Sequence, residues 1–208
     1  MSSENGRTAT PSFLVSGSLK PAQLASIEVA KEVWDLVGDE NRENFLVVGG
    51  TALLLHGYPI MTCDTDIAIT ADTLYKFENL AMKDPRYAKS PFGQWTFESP
   101  RGFTVTIDFL DKTGEAGPLE KCTDYTMIDG IPVTTVEDLA IGKGAAWINR
   151  QLGKDFFGFK CAVKKMTETG LNFKQLSQKK REILDDIMFE LEGMREEWGV
   201  LRVIRTLL

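Results

Sequence analysis

Two groups of residues in this chain have the types and spacing that phosphate and metal chemistry require. The first is the turn Gly49–Thr51, which follows the apolar run Phe45–Val48 and precedes a helix-like apolar run. The second is a set of aspartates. Asp64 and Asp66 form an Asp-Thr-Asp motif in a second apolar run, and Asp108 lies within a third. Together they predict a site for two divalent cations beside a phosphate-binding turn. A site of this kind can catalyse the transfer of a nucleotidyl group.

The paired aspartates lie in a segment, residues 62–69, that has the pattern of a β-strand. Residues i and i+2 of a strand point to the same face, so Asp64 and Asp66 should project together. Two adjacent carboxylates repel each other unless a cation lies between them. If Asp108 lies on the neighbouring strand, about 5 Å from its cross-strand partner, it completes a group of three carboxylates. Such oxygen ligands suit Mg²⁺ or Mn²⁺, with water and substrate phosphates in the remaining positions.

The glycine pair has the properties of a phosphate-binding turn. Gly49 and Gly50 allow a phosphate to approach the backbone closely between a strand and a helix. The first N–H groups of the helix have no partner in the helix and lie at the positive end of its dipole. Thr51 adds a hydroxyl at the same place. A triphosphate bound here would present its reacting phosphorus to the metal site.

The order and spacing of these motifs resemble those of the DNA polymerase beta-like nucleotidyltransferase superfamily. The run Val47–Tyr58, with Thr62 two residues before the first aspartate, is most similar to the minimal nucleotidyltransferases of the AbiEii toxin type. A later segment resembles the helical region of that group through Glu137-Asp138-Leu139, Lys143, Arg150 and Lys154-Asp155. The resemblance covers residues 44–160 of the chain.

The resemblance implies a role for each of these residues. Gly49–Thr51 match the turn that holds the nucleotide phosphates. Asp64 and Asp66 match the metal-binding pair, and Asp108 matches the third metal-binding carboxylate, which helps to activate the attacking hydroxyl. The implied reaction is a metal-dependent transfer of a nucleotidyl group from a nucleoside triphosphate to a hydroxyl acceptor, with release of pyrophosphate.

The resemblance extends to two helical residues, and this chain differs from the group at three positions. Lys143 matches a lysine that reaches the nucleotide phosphates, and Asp155 matches an acid near the site. The group usually has a basic residue where this chain has Ile60, an aliphatic residue where it has Thr65, and a further aspartate where it has Gly158. Because the basic residue is missing at Ile60, a catalytically inactive nucleotide-binding or interaction protein of the same fold remains an alternative. A toxin-like enzyme that acts on tRNA or on a protein is another.

Composition limits the classes of partner. The chain has 208 residues, of which 43% are apolar, and this is sufficient for one domain with or without a small helical extension. The net charge of −6 argues against general binding of double-stranded DNA. A basic stretch nevertheless lies in the C-terminal part of the chain, before an acidic stretch. The basic stretch contains Lys160, Lys164, Lys165, Lys174, Lys179, Lys180 and Arg181. These residues form either solvated helix faces or a patch for a polyanionic acceptor such as RNA.

Cysteine usage and hydropathy predict a cytoplasmic protein that does not enter a membrane. Cys63, Cys122 and Cys161 are scattered and fit neither a disulfide framework nor a zinc site. No apolar run approaches the roughly 20 residues of a membrane span. Residues 1–17 lack the apolar centre of a signal peptide, and we expect them to form part of a flexible arm.

The periodicities predict an α+β fold in which a small mixed β-sheet nucleotidyltransferase core with helices is followed by a helical C-terminal part. We expect a flexible arm over 1–20, the α/β core over 21–134 and the helical part over 135–208. Predicted strands cover 45–48, 64–69, 94–98, 103–110 and 131–133. Predicted helices begin at Pro21 and at Thr51, and a third follows an N-cap at Asp72. Further predicted helices cover 135–149, 154–167, 173–193 and 195–206.

Overall fold

The apolar segments of the chain pair into one mixed sheet. The computed structural model describes residues 19–62, 64–113, 124–171 and 173–193, and within these residues the sheet has seven strands. They are β1 (Phe45–Val47), β2 (Asp64–Ile69), β3 (Tyr87–Lys89), β4 (Trp95–Ser99), β5 (Phe103–Asp111), β6 (Tyr125–Ile128) and β7 (Ile131–Thr134). Their order across the sheet is β3-β4-β5-β2-β1-β7-β6.

Helices precede, interrupt and follow the strands. They are α1 (Pro21–Val37), α2 (Gly49–Leu55), α3 (Ala71–Ala81), α4 (Val136–Arg150), α5 (Gly153–Glu168) and α6 (Gln178–Gly193), with short 3-10 helices at Asp39–Asn44 and Phe173–Gln175. This arrangement confirms the predicted α+β class. Within the described residues, no helix is both long enough and apolar enough to cross a membrane.

The register of two central strands brings the aspartates together. Strand β2 pairs in parallel with β5, and Asp66 lies directly opposite Asp108 in that pairing. Strand β1 pairs in parallel with β7, while all other neighbouring strands are antiparallel. Because directly paired residues share a face of the sheet, Asp64, Asp66 and Asp108 all project from the same face.

The other face of the sheet is covered by α1 and α3, and we call it the helix-covered face. The ring of Phe77 on α3 packs against Tyr87, Trp95 and Phe109, with ring centroids 4.9–5.5 Å apart. The buried hydroxyl of Thr65, which alternates with the aspartates, donates a hydrogen bond to a carbonyl oxygen of α1. Burial of these aromatic side chains supplies the main driving force for this half of the fold.

The face that carries the aspartates is here called the open face. At one end it has a small apolar cluster formed by Leu46, Val48 and Ala68, with Leu110 and Tyr125 packed against it. Asp64 and Asp66 precede Ala68 on β2, and Asp108 precedes Leu110 on β5. The sheet therefore has a core on one side and, on the other, polar side chains next to a limited apolar patch.

The C-terminal helices pack against one another and against α2. Helix α6 approaches α4 so closely that a Cβ atom at Gly144 would lie 2.7 Å from Cγ2 of Ile187. The two helices are also joined by Lys180, whose Nζ lies 2.8 Å from both Asp138 and Asp124 and 3.7 Å from Glu137. Lys180 is therefore part of a partly buried ion-pair network, although the sequence placed it in a candidate RNA-binding stretch.

We predict that Lys180→Met destabilises the protein by about 3–5 kcal/mol, because it leaves the fully buried Asp138 carboxylate without its cation. Chemical denaturation measures this change. Lys179→Met removes the same charge from an exposed neighbour and should have little effect. Equal stability of the two variants would show that the network does not hold α6 in place.

Several predicted boundaries differ from the structure. Helix α2 begins at Gly49 and not at Thr51, so the glycines form its first turn. Thr70, not Asp72, precedes the first residue of α3 as its N-cap. The helix predicted from residue 173 begins at Gln178, after a short 3-10 turn. Strands β3 and β6 were not predicted, because each has only three or four residues and no clear alternation.

Other predictions fall on residues outside the described part of the chain. These are the arm up to residue 18, the helix predicted over 195–206 and two of the cysteines, Cys63 and Cys122. Of the cysteines, Cys161 is described, and it is buried and free.

Candidate active site

The three aspartates form one cluster on the open face. One carboxylate oxygen from each of Asp64, Asp66 and Asp108 lies within 4.8 Å of the other two, and all three side chains are half-buried. Strand alternation brings Asp64 and Asp66 to one face, and the parallel register brings Asp108 beside them. The predicted convergence of these three residues is therefore confirmed.

The electrostatics of the cluster favour a bound cation. Burial raises the pKa of Asp66 above its ordinary value, and the nearby carboxylate of Asp64 adds to this rise. The charge of Lys143 and a hydrogen bond from the backbone N–H of Gly50 lower the pKa, but they do not cancel the rise. A divalent cation would relieve this repulsion, and three half-buried carboxylates are the oxygen donors that Mg²⁺ and Mn²⁺ prefer. The residues present therefore fit such an ion.

Thr62 fixes the orientation of the first aspartate. Its Oγ1 donates a hydrogen bond of 2.5 Å to Oδ1 of Asp64. A Cβ atom at Gly50 would lie only 2.7 Å from this hydroxyl, so Thr62 also packs tightly against the glycine turn. Thr62 belongs to the motif that resembles the AbiEii type, and its contact with Asp64 depends on the fold.

A glycine is required at position 49 by the backbone conformation and by the close approach of Asp66. Its φ angle is +63°, in the left-handed region that favours glycine. A Cβ atom built at this position would lie 1.8 Å from Oδ2 of Asp66. The first residue of α2 therefore lies directly against the aspartate cluster, as the predicted phosphate-binding turn requires.

Thr51 has a structural contact within this turn. Its side chain is fully buried, and its hydroxyl donates to the backbone carbonyl oxygen of Asp64 at 3.1 Å. The Thr51 hydroxyl therefore ties α2 to β2 and does not face an incoming phosphate. A contact between its backbone N–H and a nucleotide stays a prediction.

Lys143 lies on α4, and its charge acts on Asp66 of the cluster. Its Nζ lies 3.4 Å from the carboxylate of Asp155, which is fully buried and also lies 2.9 Å from Arg150. A Cβ atom at Gly158 would lie 3.1 Å from Cδ of Lys143, so a glycine here leaves room for the lysine chain. Asp155 therefore pairs with Lys143 and Arg150, and its predicted contact with a nucleotide stays a prediction.

Sequence reasoning missed Gln94. Its side-chain amide donates a hydrogen bond of 3.2 Å to Oδ1 of Asp108. The pairing of Ser99 with Phe103 across the β4–β5 turn places Gln94 opposite Asp108. The sequence predicts this hairpin turn. Pairing the residues of the two strands outward from the turn places Gln94 opposite Asp108.

The fold is shared with a protein of known structure. Comparison of the sequence with family models and with curated proteins gives no match. Among solved structures, an antigenic nucleotidyltransferase-like protein from Paracoccidioides brasiliensis is similar with a TM-score of 0.52 and 19% identity, covering 88% of this chain and 93% of that one. The antibiotic-resistance factor ANT(2'')-Ia aligns with a TM-score of 0.44 and 14% identity, covering 84% and 95% of the two chains. The first of these likenesses shows that this chain has the fold of a nucleotidyltransferase-like protein.

Proposed function

We propose that this protein is a metal-dependent nucleotidyltransferase that transfers a nucleotidyl group from a nucleoside triphosphate to a hydroxyl acceptor. The observation that carries the proposal is the convergence of Asp64, Asp66 and Asp108 beside the first turn of α2. A carboxylate cluster alone is common on protein surfaces. Its direct contact with a glycine helix start, on a fold shared with a nucleotidyltransferase-like protein, supports this function over a surface role.

Each part of the site has a role in this proposal. Asp64, Asp66 and Asp108 would hold divalent metal ions, which stabilise negative charge on the reacting phosphate and activate the acceptor hydroxyl when bound. The backbone N–H of Gly50 donates to Asp66, so the other N–H groups at the start of α2 would bind the phosphates of the leaving pyrophosphate. Thr62 holds the Asp64 carboxylate in one orientation, so that it does not have to reorganise when the substrate binds.

The bond changes follow from this arrangement. The acceptor oxygen forms a bond to the α-phosphorus, and the bond from that phosphorus to the bridging oxygen of pyrophosphate breaks. The hydroxyl proton would pass to the carboxylate of Asp108, whose strand β5 lies on the opposite side of β2 from β1 and the turn. Lys143 stabilises the negative charge that develops on the leaving pyrophosphate, and Asp155 positions Lys143 for this contact.

The experiment that tests the proposal is incubation of the protein with each α-labelled nucleoside triphosphate, total cellular RNA or protein, and Mg²⁺. We expect label transfer and pyrophosphate release that both stop when the metal is chelated. Calorimetry with the same nucleotides separates catalysis from binding. Mg²⁺-dependent binding without pyrophosphate release would support the inactive nucleotide-binding alternative, and an RNA product labelled at its end would support the toxin-like one. The AbiEii-type subgroup and a cytoplasmic location stay predictions.

We expect Lys143→Met to lower the rate of nucleotidyl transfer about 100-fold, because one preorganised cation is removed from the leaving group. Arg150 still pairs with Asp155 in this variant, so we expect the fold to persist. Steady-state kinetics and thermal unfolding measure the two effects. Lys164→Met, which removes an exposed lysine from α5, is the control. An unchanged rate in Lys143→Met would remove this residue from the mechanism.

A further inference from the structure

Helices α5 and α6 pack on the same face of α4. A Cβ atom at Gly144 of α4 would lie 2.7 Å from Cγ2 of Ile187 on α6 and 3.2 Å from Cδ2 of Phe159 on α5. Phe159 and Ile187 therefore lie at the same level along α4. Successive residues of a helix are about 100° apart, so a residue two positions from Phe159 or Ile187 projects away from α4.

Helices α5 and α6 run in opposite directions. Helix α6 has the direction of α4, because Lys180 near its start pairs with Asp138 near the start of α4. Helix α5 packs back along α4 after the short connection at 151–152. Phe157 lies two residues before the shared level on α5, and Phe189 lies two residues after it on α6. Because the helices are antiparallel, both phenylalanines lie at one level, on the side away from α4.

The side of α5 that faces away from α4 is predominantly basic. Phe157 on this side is 52% exposed. Lys160, Lys164 and Glu168 follow it at intervals of three and four residues, so they lie on the same side of the helix, and all three are exposed. We call these four residues the basic ridge.

The side of α6 that faces away from α4 carries the opposite charges. Phe189 on this side is 75% exposed. Asp186, Glu182 and Lys179 precede it at intervals of three and four residues and are exposed as well. We call these four residues the acidic ridge. Outward from its phenylalanine, the acidic ridge has two negative charges and then a positive one, whereas the basic ridge has two positive charges and then a negative one.

We propose that the basic ridge of one copy of this chain binds the acidic ridge of a second copy, so that the protein forms a two-fold symmetric dimer. A two-fold axis parallel to the helices leaves the direction and the level of each helix unchanged. It therefore places α5 of one copy antiparallel to α6 of the other, with Phe157 against the partner's Phe189. The contact occurs twice and closes the dimer. This inference does not depend on the aspartate cluster or on its chemistry.

The charges of the two ridges match in level across this contact. At about 1.5 Å per residue, Lys160 and Asp186 each lie about 4.5 Å from their phenylalanine, towards the same end of the helices. Lys164 and Glu182 each lie about 10.5 Å from it in the same direction. In its own chain Lys160 lies over the ring of Phe156. Within the described residues, neither Lys160 nor Asp186 has an ion-pair partner, so both charges are available to a second copy.

The apolar centre and the charges have different roles in the dimer. Burial of the two phenylalanine pairs removes apolar surface from water and supplies affinity. The ion pairs select the register and the partner more than they add affinity. The pair of Lys160 with the partner's Asp186 adjoins this centre, whereas Lys164 and Glu182 lie at the solvent-exposed rim and contribute little.

A second copy accounts for more of this surface than a polyanion does. RNA gains its affinity from lysine and arginine contacts to phosphate, and Glu168 would repel it at the end of the basic ridge. RNA would also leave Phe189 and the acidic residues beside it uncovered. One contact between two copies covers both ridges, because each chain carries both.

Charge reversal tests the pairing of Lys160 with Asp186. Lys160→Glu and Asp186→Lys each create two repulsive contacts per dimer. We expect sedimentation equilibrium to give each single variant a dimer Kd at least about tenfold higher than that of the wild type. The double variant should recover the wild-type Kd to within about threefold, because both pairs are restored with exchanged signs. Lys83→Glu, which reverses an exposed charge away from both ridges, is the control.

Two further measurements use the same variants. A mixture of Lys160→Glu with Asp186→Lys should form heterodimers, because opposite charges then meet at both contacts. Phe189→Ala removes the apolar centre without a change of charge, and we expect about a tenfold higher dimer Kd. Circular dichroism shows that each variant is folded, as expected for substitutions of exposed side chains.

Several outcomes would overturn the dimer. One is a wild type that remains monomeric at about 100 μM. Another is a dimer that survives either single reversal, or that neither the double variant nor the mixture restores. A monomer that retards RNA on a gel, and loses this ability in Lys160→Glu, would show that the basic ridge binds RNA. A monomer that Asp186→Lys destabilises would show that the acidic ridge is covered from within the chain, by the arginines of residues 194–208.

Discussion

Asp66→Asn should abolish nucleotidyl transfer, with a loss of about 10³-fold or more, while the folded protein becomes more stable in the absence of divalent metal. An amide is a poor ligand for Mg²⁺ in place of a carboxylate, so the charge stabilisation of several kcal/mol that the metal supplies is lost. The amide oxygen can still accept the hydrogen bond from the backbone N–H of Gly50, so the turn should keep its structure.

The stability effect has a defined pH dependence. Burial and the carboxylate of Asp64 raise the pKa of Asp66 in the folded state, so its ionised form is disfavoured by folding. This cost is absent below the unfolded pKa of about 3.9 and grows as the pH rises towards the folded pKa. Asp66→Asn should therefore unfold at a higher temperature than the wild type at pH 7, and the difference should vanish near pH 3.

Addition of Mg²⁺ provides the second measurement. A ligand that binds only the folded state raises its stability in proportion to the logarithm of the ligand concentration. The wild type should gain thermal stability as Mg²⁺ is added, and Asp66→Asn should gain little. Asp72→Asn, on the first turn of α3 and outside the cluster, should behave as the wild type. Normal transfer by Asp66→Asn would refute the metal assignment.

Gly49→Ala should be nearly as damaging to catalysis as the loss of the aspartate, for a steric reason. The new Cβ would lie 1.8 Å from Oδ2 of Asp66, so either the carboxylate or the start of α2 must move. The φ angle of +63° adds a conformational cost of about 1–3 kcal/mol for a residue with a side chain. We expect transfer to fall about 10³-fold and the unfolding temperature to fall as well.

Gly102→Ala separates the steric clash from the conformational cost of the positive φ angle. Gly102 lies in the turn between β4 and β5 with a φ angle of +80°, but a Cβ atom there would have nothing within 4 Å. This control should lose about 1–2 kcal/mol of stability and no activity. If Gly49→Ala and Gly102→Ala lose the same small amount of stability and both remain active, the turn does not shape the metal site.

The sequence by itself determined the chemistry of the site. The alternation of Asp64 and Asp66 around the β-branched Thr65 fixed one face of a strand, because side chains alternate along a strand irrespective of the rest of the fold. Asp108 lies within another apolar strand, so its side chain can project from the same face if the two strands are neighbours. The prediction of three converging carboxylates needed only local periodicity and the assumption of neighbouring strands, and the register of β2 and β5 confirmed it.

Only the tertiary structure decided how the other residues meet this cluster. The contact of Gln94 with Asp108 depends on pairing between strands, and the path of Lys143 past Gly158 to Asp155 depends on the packing of two helices. Lys180 lies in a basic stretch in the sequence, yet the fold buries most of it among acids from other elements. Local sequence determines the type of each side chain and the face it occupies. The neighbours of that side chain come from distant segments, and their positions follow from burial of the core as a whole.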